Sequence, residues 1–454
     1  MLEIVILAAG DGKRMKSSRP KVLQPIGGRP MLVHLIDAAE ALDPERIHVV
    51  IGAGAEQVRE VLAERSVEFT TQERRLGTGH AAMQALPAID TQAKVLILPG
   101  DMPMIRPETL KPLLESDADL AVLSFLADDP AGYGRIVRKP DGALAAIVEH
   151  KDAGPEELAI NEVNSGVMCA AASAWSDWLG RVGADNAQGE YYLTDCVAIA
   201  NAAGQRVEAL IADSAEELMG ANDREQLADL EQVFQTRARR ELFARGVTLA
   251  DPDSVFVRGR VSCGRDVRIE PGVVLAGDVA LGDEVVIGPG CVLTDCDLAS
   301  GTWLEPYCVL EGVRTTGPCS IGPFARLRPG TELAEGVKVG NFVEIKNARF
   351  ASGSKASHLS YVGDAEVGER ANLGAGTITC NYDGANKHRT EIGADAFIGS
   401  NSALVAPVVV GEGATIGAGS VITHSAPEGH LTLARARQKT VEGWQRPRKR
   451  DGNV

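Results

Sequence analysis

The run VFVRGR-VSCGRD-VRIEPG-VVLAGD-VALGDE-VVIGPG-CVL, Val255–Leu293, breaks into steps of six. Val255, Val261, Val267, Val273, Val279, Val285 and Cys291 open the steps; Val257, Cys263, Ile269, Leu275, Leu281, Ile287 and Leu293 follow two residues later. The register slips around Asp297–Ser320 and returns at Ile321, Leu327, Leu333, Val339 and Ile345. It closes with Ile392, Ile398, Leu404, Val410, Ile416 and Ile422. A period of six fits neither an amphipathic helix nor a simple hairpin sheet. It predicts a parallel β-helix in which three short strands make each coil and every sixth side chain points into the bore. One coil cannot bury its own aliphatics, so coils must stack. The Gly, Asp and Asn residues between the aliphatics suit corners with positive φ. A β-sandwich is the alternative, and it would need all of these in-phase aliphatics by chance.

At 454 residues the chain is too long for one ordinary core, which predicts two domains. With 44% apolar and 24% charged residues it reads as a soluble globular protein. A formal net charge of −16 argues against a general nucleic-acid binder. The eight cysteines form no CxxC pair, and Cys263 and Cys291 occupy hexad positions. They read as buried free thiols of a reducing, cytoplasmic compartment. MLEIVILAAG reads as a first strand rather than a signal peptide, and no apolar run approaches the ~20 residues that span a bilayer.

Ahead of the hexads, strands alternate with helices: strands at Ile4–Ala8, Ile47–Ile51 and Lys94–Leu98, helices at Pro30–Leu42 and Thr78–Leu86. This alternation predicts a mainly parallel sheet with its ligand at the carboxyl ends of the strands. LAAGDGKRM, Leu7–Met15, lies at such an end. Gly10 and Gly12 let a ligand approach the backbone, whose N–H groups can hold phosphate, and Lys13, Arg14 and Lys21 add positive charge. No Ser or Thr follows a Gly-Lys pair as in a Walker A loop, and Met15 stands where GxGxxG needs its third glycine. LAAGxGxRM with a lysine seven residues later resembles the sugar-1-phosphate nucleotidyltransferases.

That resemblance implies a set of site residues. Leu7, Ala8, Ala9 and Gly10 line the nucleotide, with Arg14 and Lys21 as the catalytic cations. Gln72 and the LGTGHA residues Gly77 and Thr78 are the uracil-contacting positions. Gly100 and Asp101 of LPGDMP, with Asn222 of GANDR, are the Mg²⁺ end, Asp101 and Asn222 being the metal ligands. Gly134, Glu149 and Asn164 bind the sugar. The chemistry suits those residue types. A sugar phosphate oxygen attacks the α-phosphorus of UTP and pyrophosphate leaves, so positioning and charge offset suffice.

Asn222–Arg245 reads as a helix with a partial apolar stripe (Leu227, Leu230, Phe234, Leu242), closed by Gly246 and Pro252. Its arginines Arg237, Arg239 and Arg240 read as a solvated face. The outward residues of coils 255–345 read as a mixed, polar wall. Where the repeat is interrupted, a basic and aromatic constellation appears: Arg326 and Arg328, Lys346, then Lys355, His358 and Tyr361. Asn372, Ala375, Asn381, Tyr382 and Ser400 follow. A lone histidine on such a wall is usually structural; this one has cations and a tyrosine beside it.

The constellation, with the N-terminal motifs in the same order, resembles a bacterial bifunctional family that joins a sugar-1-phosphate uridylyltransferase to an N-acetyltransferase. It implies an α/β Rossmann-like nucleotidyltransferase domain followed by a left-handed parallel β-helix of hexapeptide repeats. The implied division is 1–226 for the uridylyl domain, 227–248 for a connecting helix, 249–425 for the β-helix and 426–454 for a basic tail. It also implies acetyl transfer from acetyl-CoA to glucosamine 1-phosphate, then uridylyl transfer from UTP to N-acetylglucosamine 1-phosphate. The product feeds peptidoglycan and lipopolysaccharide precursors. His358 is the implied base; Arg328, Lys346, Tyr361 and Asn372 hold the amino sugar phosphate. Ala375, Asn381, Tyr382, Ser400, Ala418 and Arg435 make the remaining acetyl-site contacts. Backbone N–H groups near Ala375 are expected donors to the oxyanion, and Trp444 a tail anchor. The implied partners are small molecules and two further copies in a homotrimer, with neither nucleic acid nor an integral membrane contact. The rival is a single-activity nucleotidyltransferase whose β-helix only oligomerises; a weaker one makes the N-terminal half a sugar-nucleotide sensor.

Overall fold

The computed structural model describes residues 1–52 and 54–447. The chain divides into two compact units, Met1–Ala238 and Arg239–Val454. In the first, seven strands of a nine-stranded sheet run in the order, by first residue, Val207, Leu120, Glu162, Lys94, Leu2, Arg46, Glu68, and the pair Arg135–Arg138 and Leu144–Val148 joins it at Glu162–Ala171. The strands Leu2–Ala8, Arg46–Ile51, Glu68–Thr71 and Lys94–Pro99 are parallel, and Glu162–Ala171 is antiparallel to both of its neighbours. Apolar runs such as IVIL suit strands buried on both faces, and Ile4 and Ile6 are fully buried. One face packs Leu32, Leu35 and Ile36 of the helix Met31–Glu40; the other packs Ala81, Trp175 and Trp178. The Gly-rich turn, Gly100-Asp101 and Gln72 therefore all leave the sheet at the same edge.

The second unit is a β-helix of parallel pairings only, among the described strands. Arg268 lies opposite Val286 and Val274 opposite Val292, a coil of eighteen residues, or three hexads. The slip after Asp297 has a simple geometry. Val292 pairs with Val309 and Lys338 with Lys355, so these coils omit one corner residue while the inward positions stay stacked. Asn372 pairs with Phe397 and Ala365 with Thr390, twenty-five residues on; this coil extrudes a loop that carries Asn381–Arg389. The inward aliphatics Val267, Ile269, Leu275, Ile287, Ile345, Ile398 and Ile416 are fully buried. This is the parallel β-helix that the hexads predict, in the left-handed form that the family resemblance implies.

Four readings need correction. Val261 and Cys263 are half-exposed, because the first coil has a neighbour on one side only. The free-thiol reading itself holds: no cysteine is paired in a disulfide among the described residues, and burial pushes the Cys169, Cys196 and Cys319 thiols up to about 12. Of Arg237, Arg239 and Arg240 in the helix Arg224–Ala244, only Arg240 is exposed. Arg237 donates to the Met104 carbonyl at 2.8 Å, and Arg239 is buried with Asp253 3.2 Å away. The outward wall is not uniformly polar: Trp303, Tyr307, Phe324 and Phe342 are exposed. In the tail, Trp444 is 66% exposed rather than anchored; Arg448, Lys449, Arg450 and Asp451 lie outside the described residues. No described helix is long and apolar enough to cross a membrane.

Candidate active sites

A cleft of about 540 Å³ opens at the carboxyl edge of the first unit's sheet. Leu7, Ala9, Gly10, Lys21, Gln72, Gly77, Thr78, Asp101, Gly134, Glu149 and Asn164 line it. Ala8 is buried behind the cleft, Gly100 backs onto the Leu7 carbonyl, and Arg14 is exposed and outside the lining. Gly12 holds φ 57°, and a Cβ there would stand 2.7 Å from Lys21 Cβ; glycine is what brings the turn and the lysine together.

The Lys21 ammonium bridges Asp101 Oδ2 at 2.5 Å and Asn222 Oδ1 at 3.1 Å. Two oxygens 121 residues apart in sequence thus converge on one positive centre. A carboxylate and an amide oxygen are the hard donors that Mg²⁺ takes, and it needs few from the protein when phosphates and waters complete its shell. The pair therefore fits a divalent ion, with the ammonium as its stand-in.

Elsewhere in the cleft, burial pushes the Glu149 carboxyl above the usual carboxylate range, and a hydrogen bond from Thr194 Oγ1 (2.9 Å) opposes the rise. Tyr133 is raised by burial and then by the Asp101 charge. Tyr133, Thr194, Arg75 and Asp11 line the cleft without having stood out in the sequence. Arg75 pairs with Asp11, which closes the charge of the Gly-rich turn.

In the second unit His358, the last residue of the strand Lys355–His358, stands opposite Asn341 one coil earlier. Its Nδ1 lies 2.6 Å from Asn341 Oδ1. An amide oxygen only accepts, so Nδ1 carries the hydrogen and Nε2 keeps its lone pair free. The same corner position recurs as Ala375, Ser400, Ala418 and Arg435. Backbone bonds run from Gly376 N–H to the His358 carbonyl, Asn401 N–H to Ala375, and Gly419 N–H to Ser400; Arg435 Nη1 donates to the Ala418 carbonyl at 2.5 Å.

Past that corner the coil turns onto a second face. There Tyr361 pairs with Glu344, which accepts from Arg328 at 3.0 Å, and Lys346 pairs with Gly363. Lys387, from the extruded loop, is the neighbour that the sequence reading missed. Its ammonium, with Arg328, holds Lys346 below the usual lysine range. Burial works upward on Asp364, but Asn347 (2.6 Å) and Asn381 donate to it and keep it below the usual range. Like charges crowded at an exposed spot, with one carboxylate among them, make an anion site for a doubly charged phosphate. Tyr382 is exposed, its hydroxyl donating to the Gly384 carbonyl at 2.6 Å. Asn372 lies on the sheet of Lys355, across the corner from Tyr361 and Lys346.

Comparison with known proteins follows the same division. Residues 4–185 match the MobA-like NTP transferase domain, and 260–295 and 389–424 match the bacterial transferase hexapeptide (six repeats). A "Bifunctional protein GlmU" of Alkalilimnicola ehrlichii is 54% identical over 99% of this chain and 97% of its own length. Those of Stenotrophomonas maltophilia and Azotobacter vinelandii are 54% and 55% identical, each over 99% of both chains. The chain belongs to the bifunctional GlmU family. It is a two-activity transferase of UDP-N-acetylglucosamine synthesis, acetylating glucosamine 1-phosphate and then transferring uridylyl to the product.

Proposed function

We propose that each reaction has its own site and that the residues described above carry them. In the first unit UTP lies along Leu7–Gly12 with its base at Gln72 and Gly77. Asp101 and Asn222 hold Mg²⁺, which supplies charge neutralisation on the phosphates when bound. Lys21, released from its two oxygens, and Arg14 then face phosphate, and Glu149 and Asn164 take the sugar. In the second unit acetyl-CoA is the donor. Arg328, Lys346 and Lys387 receive the phosphate of glucosamine 1-phosphate, and His358 Nε2 accepts the proton of its amino group as that nitrogen attacks the thioester carbonyl; the C–S bond then breaks and coenzyme A leaves as its thiol with that proton.

One observation carries the reading: an imidazole whose free nitrogen is fixed by Asn341, in the coils that gather three cations. A scaffold needs neither. Asn372 lies on a different face from Lys346 and Tyr361, which supports a site completed by a second copy and hence the homotrimer. Free buried thiols support a cytoplasmic home. We take the domains as 1–226, 227–248, 249–425 and 426–454, the division at Ala238 and Arg239 falling inside the connecting helix.

The test assays both reactions in wild type, His358→Ala and Asp101→Ala. His358→Ala is expected to lose acetyl transfer by roughly 10²- to 10⁴-fold while uridylyl transfer is retained, and Asp101→Ala to do the reverse. Wild type without acetyl transfer would make the β-helix a scaffold, and full activity in His358→Ala would put the base elsewhere.

A further inference from the structure

The helix Thr78–Ala85 begins in the uracil-side loop and carries His80 within its first turn. Gln72, almost fully buried at 4% exposure, reaches toward it from the end of the neighbouring strand. Gln72 Nε2 lies 3.2 Å from the Gly77 carbonyl and 2.9 Å from His80 Nδ1. These two contacts fix the amide between them. A backbone carbonyl can only accept, so the NH₂ end of Gln72 must point at Gly77. That same nitrogen has its second hydrogen for His80 Nδ1 at 2.9 Å; the Gln84 amide nitrogen stands farther off, 3.4 Å from Nε2, so Gln72 has the stronger claim on the ring's one bare nitrogen and Nδ1 is that nitrogen. The ring lies against Tyr191, centroids 6.3 Å apart. With both amide hydrogens used inside the protein, Oε1 of Gln72 is the end left for a ligand, and Gln72 lines the cleft.

We propose that His80 is a positioning residue that sets which pyrimidine the cleft accepts. It locks the Gln72 amide so that an acceptor, never a donor, faces the base. Uracil offers N3–H as a donor and satisfies that oxygen. Cytosine offers a bare N3 lone pair, so binding it leaves two buried acceptors facing each other, a mismatch that costs more than a missing contact. Without His80 the amide is held by Gly77 alone and can turn its NH₂ toward the base. The device reads N3 only, so it is blind to the 5-methyl group that separates thymine from uracil.

This rests on the uridylyl reading of the cleft, and the experiment separates the two. Uridylyl and cytidylyl transfer to N-acetylglucosamine 1-phosphate are measured with UTP and CTP in wild type, His80→Phe, His80→Asn and His80→Gln. Phe keeps a ring against Tyr191 but has no acceptor, whereas Asn and Gln restore a side-chain oxygen. Expected is a rise in KM for UTP and a fall in the UTP:CTP ratio of kcat/KM of about three- to tenfold in His80→Phe, the worth of one hydrogen bond. kcat at saturating UTP moves less, and Asn or Gln recovers the ratio. An unchanged ratio in His80→Phe, or no recovery in either amide variant, overturns the role of His80. A wild type that uses CTP as well as UTP overturns the uridylyl reading itself. Should His80→Phe not fold, judged by loss of the wild-type thermal transition, the ¹⁵N shifts of the wild-type imidazole decide. A protonated Nδ1 on His80 overturns the proposal, and a bare Nδ1 supports it.

Discussion

Glu149 and Thr194 show how one hydroxyl tunes the cleft. Burial favours the neutral carboxyl, and the Thr194 hydrogen bond favours the carboxylate. Thr194→Val takes away the opposing effect, so Glu149 stays protonated to higher pH. The acid limb of the uridylyl pH–rate profile is expected to move to higher pH, with acetyl transfer unmoved. The sign for stability follows from linkage. A carboxyl whose folded pKa is raised contributes stability that is present below its unfolded pKa and lost as pH rises through the folded one. Thr194→Val therefore lowers the thermal midpoint at neutral pH more than at acid pH, and equal losses at both would sink the account. At this scale much was legible. Asp101, Gln72 and Lys21 stand in motifs whose residue types the chemistry requires. Thr194 was not, since only folding brings it to Glu149 from 45 residues away. Lys387 was not either, because it lies in an extruded loop that keeps no hexad register, although NYDGANKHR is visibly both an interruption and basic.

The β-helix coil is an element with two separate demands, a filled bore and backbones close enough to pair. Ile345 meets the first, fully buried between Leu327 and Val362 of the adjoining coils. Ile345→Ala is expected to cost about 2–5 kcal/mol through lost burial and a cavity that rigid neighbouring coils cannot close. Gly368 meets the second. A Cβ there would stand 2.5 Å from the Ala394 nitrogen, backbone of the next coil that cannot swing aside. Gly368→Ala should lower the urea midpoint of the β-helix read by circular dichroism, and a wild-type midpoint in either variant would refute the packing argument. The hexads made the bore legible because inward residues obey a period. The coils that omit a residue were legible only as a slip: dropping a corner residue leaves the stack intact and shifts the count.

At the scale of the molecule, one corner column runs Gly272, Gly290, Tyr307, Phe324, Phe342, Leu359, Gly376, Asn401, Gly419, and every residue in it has positive φ. Glycine and asparagine accept that conformation; Tyr307 (φ 61°), Phe324 (55°), Phe342 (56°) and Leu359 (49°) do so against their sterics. Such residues carry of order 1–3 kcal/mol of strain each. The three rings stack on one another at 5.3 Å between centroids, yet each is about half exposed. Stacking alone does not account for bulky apolar side chains at positions where glycine would be strain-free. An apolar column open to water, ending beside His358, is what a contact with another copy would cover. Phe324, stacked on both sides, is the residue to change. Phe324→Asp is expected to lower the mass measured by light scattering from trimer to monomer. Acetyl transfer should be lost with it, since Asn372 and Lys346 lie on different faces of one chain, while uridylyl transfer continues. A Phe324→Asp protein that remains a trimer would remove the column from the interface. A monomer with full acetyl transfer would show that one chain completes the site alone.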